Sequence, residues 1–116
     1  MKIVKNQEKI EIAELKEISK KMFGSFVKAV VDIEKNIMAV DAELHIDLEQ
    51  LLIEKENCEP KNLWGINIYT EIGGVDRIEF DSMINLKPAW DNKTRGVESK
   101  EIQDKIIKIT EKFITP

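Results

Sequence analysis

Cysteine is nearly absent from this chain. Cys58 is the only one among 116 residues, so no internal disulfide staples the fold. Its neighbours in Glu56-Asn57-Cys58-Glu59-Pro60 are acidic, which raises a thiol pKa, and an unactivated thiol is expected. Histidine is just as scarce, with His45 alone to serve any nucleophile as a base. Paired CxxC motifs, HExxH, a nucleophile elbow, a dinucleotide fingerprint and a glycine-rich phosphate cradle are all missing. No apolar run approaches the ~20 residues of a membrane span. The opening Met1-Lys2-Ile3-Val4-Lys5-Asn6 runs into charge without an apolar signal region, so a cytoplasmic protein with no membrane contact is expected. Positive charge is not in excess either: 18 basic residues stand against 22 acidic ones, net -4. That argues against a general nucleic-acid coat, while leaving room for a local basic patch.

What the chain does have is globular. Hydrophobic residues make up 42% and charged residues 34%, with no internal repeat or linker-like stretch, so residues 1–116 read as one domain. Between Glu11 and Met22 the apolar residues Ile12, Leu15, Ile18 and Met22 recur at helical spacing, and Gly24 suits the stop. The period then changes to two. Val27, Ala29, Val31 and Ile33 alternate, as do Met38, Val40, Ala42, Leu44, Ile46 and Leu48, with Lys35-Asn36 as the turn of a hairpin. A two-residue turn pairs Ile33 with Met38, Val31 with Val40, Ala29 with Ala42 and Val27 with Leu44 on one apolar face. The other face then sets Lys28 opposite Glu43 and Phe26 opposite His45. Past Leu44 the pattern fits strand or helix; strand to about Ile46, then a short helix capped by Asp47 and ending near Lys55, is preferred.

A second hairpin follows. Trp64, Ile66 and Ile68 alternate, then Ile78 and Phe80, with Ile84 and Leu86 beyond, and Gly73-Gly74 can take positive φ in the connector. Pairing Ile68 with Ile78 also pairs Asn67 with Glu79. Ser99 is a good N-cap for a closing helix, whose stripe is Ile102, Ile106, Ile109 and Phe113. The expected fold is α+β: an antiparallel sheet of about four strands in two hairpins, with N- and C-terminal helices on its apolar face.

Three constellations carry chemistry. On a strand, Asp41, Glu43, His45, Asp47 and Glu49 share one face, and Glu43, His45 and Asp47 are candidates for a divalent metal or for acid–base catalysis. On a helix, Glu43/Asp47 and His45/Glu49 are instead neighbours four apart. Carboxylates around His45 lead one to expect an imidazole pKa above the usual value. The second set, Asn67, Tyr69, Arg77, Glu79, Asp81 and Asn85, lies on the polar face of the second hairpin. The third is the segment Lys87 to Gly96, where Trp90, Asn92 and Arg95 combine stacking, hydrogen bonding and positive charge. Nucleic acid is disfavoured by the net charge yet remains open at this segment.

Taken together, Met22-Phe23-Gly24, Val30-Val31-Asp32-Ile33-Glu34, Glu43-Leu44-His45 with Asp47 and Glu49, and Leu63-Trp64-Gly65-Ile66-Asn67 form a recognisable set. Ile78-Glu79-Phe80-Asp81-Ser82-Met83-Ile84-Asn85, Pro88, Asn92 and Arg95 continue it. The chain resembles a family of small prokaryotic proteins known only as a domain of unknown function. The likeness spans nearly the whole length and brings no established activity. It departs at Asp41-Ala42 and at Glu56-Asn57-Cys58, where the resemblance leads one to expect small or glycine residues. The expected role is a small binding or interaction module using the polar sheet face and the 87–96 loop, with a protein partner or a second copy of the chain. The alternative is a metal-dependent or acid–base enzyme of hydrolase type centred on His45.

Overall fold

The computed structural model describes residues 1–116. Elements follow in the order β1 (Lys2–Val4), β2 (Ile10–Glu11), α1 (Ile12–Lys21), β3 (Phe26–Asp32), β4 (Ile37–Val40) and α2 (His45–Glu56). They continue with β5 (Leu63–Tyr69), β6 (Ile78–Glu79), α3 (Lys100–Phe113) and β7 (Ile114–Thr115). Five strands form an antiparallel sheet in the order β1-β4-β3-β5-β6, and β2 pairs with β7 in a parallel two-residue clasp. The architecture is α+β, with five strands in the main sheet where four were expected. The extra strand, β1, is only three residues long, too short to show a period in the sequence.

The first hairpin keeps its expected face but not its register. Val31 pairs with Met38 and Ala29 with Val40, a shift of two residues from the expected pairing. The turn takes four residues because Asp32 nucleates it. Asp32 Oδ1 accepts from the backbone N–H of Glu34 and of Lys35, both at 2.8 Å, and Asn36 adopts φ 55°. Because a shift of two preserves the alternation of side chains, Val27, Ala29, Val31, Met38 and Val40 still share one buried face. The second hairpin has the expected register, Asn67 with Glu79 and Ile68 with Ile78, though β6 stops there.

Strand alternation past Val40 does not persist. Asp41 turns the chain at φ 76°, and His45, Ile46 and Asp47 open α2 instead of extending β4. Leu44 takes the N-cap position and Asp47 sits in the first turn, where a carboxylate favours the helix dipole. Lys28 and Phe26 consequently face Asn67 and Tyr69 of β5, not Glu43 and His45. Beyond β6, Met83–Asn85 is a short 3-10 turn rather than strand.

Both faces of the sheet are covered. On one, Leu15 of α1 and Ile106, Ile109 and Phe113 of α3 pack on Val31, Met38, Trp64, Ile66 and Ile68. On the other, Leu48 and Leu52 of α2 cover Val30, Ile37, Ala39 and Leu63. The polar face expected there is therefore confined to the end of the sheet that α2 leaves bare.

Candidate functional site

The segment from Phe80 to Glu98 carries most of the candidates, and three buried polar side chains hold it in shape. Asn85 is fully buried, and its amide mimics a strand against β5. Its Oδ1 accepts from Gly65 N–H at 2.8 Å and its Nδ2 donates to Gly65 O at 3.0 Å and to Arg95 O at 2.9 Å. Asn92 Nδ2 donates to Asn85 O and to Gly96 O, both at 2.8 Å, while its Oδ1 accepts from Glu98 N–H at 2.9 Å. Lys87 is buried too. Its ammonium donates to Pro60 O and Ile84 O and lies 5.1 Å over the Trp64 ring, and burial lowers its pKa. Lys87 is thereby withdrawn from the positive charge that the 87–96 segment presents to solvent.

Trp90 points the other way, 57% exposed on its short 3-10 turn. A cleft of about 540 Å³ lies between it and the start of α3, lined by Trp64, Lys93, Ser99 and Ile102 among others. The indole Nε1 of Trp64 is buried without a partner.

On the opposite side of the loop, where α2 stops covering the sheet, a cleft of about 260 Å³ forms around His45. Lys28 comes from β3, Leu44, His45 and Ile46 from the start of α2, and Ser82, Met83, Ile84 and Arg95 from the loop. Gly65 makes this seat possible. A Cβ there would stand 2.6 Å from Ser82 and 3.1 Å from His45 Cδ2, so only a glycine lets both settle on β5. The imidazole is buried, and its Nε2 lies 2.8 Å from Ile66 O. A carbonyl only accepts, so Nε2 carries the proton and Nδ1 keeps its lone pair with no partner in the chain. Burial is the largest influence and lowers the His45 pKa; the hydrogen bond to Ile66 O opposes it, and the charges of Lys28 and Arg95, which lower it, are set against that of Asp81, which raises it. The expected rise is thus reversed, because α2 removes His45 from the row of carboxylates.

Glu43 and Asp47 are solvent-exposed, and no three His, Cys, Asp or Glu side chains gather to hold a metal ion. Asn67 Nδ2 donates to Glu79 Oε1 at 2.8 Å, and Tyr69 reaches the same oxygen at 3.3 Å. Arg95 Nε donates to Asp81 Oδ1 at 2.8 Å. Sequence reasoning missed Lys28, Leu44, Ile46, Ser82 and Met83. Their signal is three half-exposed apolar side chains, and exposure cannot be read from a residue's type.

An α+β fold with a two-sided sheet and a hydrogen-bonded loop between two clefts is the class this geometry defines. The chain belongs to the family described as Protein of unknown function (DUF5674), which matches residues 2–113. No curated protein and no solved structure matches it. No helix is long and apolar enough to cross a membrane.

Proposed function

We propose that the chain is a small cytoplasmic binding module whose contact surface is the 87–96 loop together with the groove around His45. One observation carries this reading: the loop is locked from below by Asn85, Lys87 and Asn92 yet holds Met83, Trp90 and Arg95 outward. Buried polar side chains satisfied by backbone are an expensive way to shape a loop that only connects two elements, and pre-ordering a surface lowers the entropic cost of association. Exposed tryptophan and arginine are frequent anchors of such surfaces. The test is an amide NMR screen of the labelled protein against small carboxylates, nucleotides and peptides. Perturbations are expected at Leu44, Met83, Trp90 and Arg95, and Trp90→Ala with Arg95→Ala should abolish them while shifting the melting temperature by under about 4 °C. Perturbations clustered elsewhere, or a collapse of stability, would return the loop to a structural role.

An acid–base enzyme is the second reading, favoured by the neutral His45 imidazole with its free Nδ1 lone pair. It requires turnover that His45→Gln abolishes without unfolding the chain.

A further inference from the structure

We infer that the His45 groove receives the Glu71–Asp76 loop of a second copy of this chain; the inference rests on the binding reading above. The groove is too small and too open to enclose a typical ligand, since about 260 Å³ falls below the roughly 300–1,000 Å³ of small-molecule pockets. Its rim is apolar, with Leu44 52%, Ile46 50% and Met83 61% exposed. An occupant must therefore cover these side chains from outside, as a protein segment does. The lining contains two cations, Lys28 and Arg95, and no carboxylate, in a chain of net charge -4. Lys28 has no carboxylate partner, lying 5.0 Å over the Phe23 ring, while Arg95 keeps Asp81 on one side.

The complementary chemistry lies on the same molecule. The connector between β5 and β6 exposes Ile72 and Val75, flanked by Glu71 and Asp76. Glu71 is held only by a solvent-exposed contact with Lys16 at 3.7 Å, which exchanges readily. Groove and loop belong to the same end of the sheet, since Lys28 pairs with Asn67 and Phe26 with Tyr69, just before the connector. Two copies related by a two-fold axis can then each seat a loop in the other's groove, with apolar side chains meeting and opposite charges facing.

Sedimentation across micromolar to millimolar concentration tests this. The mass should rise from 13.4 kDa toward twice that value. Lys28→Glu alone, and Glu71→Lys with Asp76→Lys, should each weaken the dimer by about tenfold or more. The chain carrying Lys28→Glu, Arg95→Glu, Glu71→Lys and Asp76→Lys together should dimerise again, which mere loss of stability would not produce. A monomer at every concentration, or failure of the combined variant to recover while it remains folded, would overturn the inference. A capped peptide of residues 69–76, titrated into the protein by NMR, separates the two claims. Binding of the peptide at Leu44 and Met83 without dimerisation overturns the second copy and leaves the groove standing as a binding site.

Discussion

At His45 the protonation state follows from where the ring sits. A folded-state pKa below the ordinary 6.5 means the unfolded chain binds the proton more readily. This residue's contribution to stability is therefore fully present above pH 6.5 and is lost as pH falls toward the folded-state value. Thermal melts from pH 8 to 5 should show the midpoint falling below about pH 6.5, and His45→Gln should flatten that part of the curve. Asp41 and Asn57 carry a different lesson. Both hold the left-handed conformation, φ 76° and 56°, at the two places where the family resemblance departs from small or glycine residues. Asp41→Gly and Asn57→Gly should each stabilise the chain by about 0.5–1 kcal/mol, since glycine adopts this region without a Cβ penalty. Denaturant melts of the two variants check it. Cys58 is buried beside Asp32, and burial with that carboxylate pushes its thiol up to about 12. It should stay unmodified by iodoacetamide until the protein unfolds.

Among the elements, β3 is the one on which most depends. It sits between β4 and β5, and alternate residues feed the two cores, Val27, Ala29 and Val31 under α1 and α3, Val30 under α2. Val31→Asp should cost about 4 kcal/mol or more, because its fully buried site offers a carboxylate no partner. Cross-strand NOEs linking Val31 to Met38, rather than to Val40, check the register in the same preparation. The helices were the most legible elements. Ser99 accepts from Ile102 N–H as an N-cap should, and Ile106, Ile109 and Phe113 are buried as the stripe requires. The hairpin face was legible for the same reason: periodicity decides which side chains share a face. The register was not, because it depends on whether Asp32 folds over the turn, and two- and four-residue turns give the same alternation.

For the molecule as a whole, the clasp of β2 with β7 closes the chain on itself. Ile10 pairs with Ile114 in parallel, both buried, so the segment before α1 is tied to the end of α3. Deleting residues 114–116 uncovers Ile10 and should lower the melting midpoint by roughly 4 °C or more, about the shift expected for each kcal/mol lost in a chain of this length. Calorimetry of the truncated chain measures it. The same clasp was invisible beforehand, since two residues at either end of a chain carry no period.

Composition and local pattern were enough to determine the α+β class, four of the five strands of the main sheet, both terminal helices and the candidate loop, because each of these follows from interactions along a few residues. His45 shows where that stops. Its surroundings in the sequence are carboxylates, but its surroundings in space are Ile66, Gly65, Ser82 and Lys28, brought from three other parts of the chain. Strand β4 stops at Val40, well short of the expected end near Ile46, and α2 starts at His45; that choice turns an acidic row into a neutral imidazole in a cationic, apolar groove. Only long-range packing makes it: Leu48 and Leu52 bury on the second face of the sheet, a gain no local window can register.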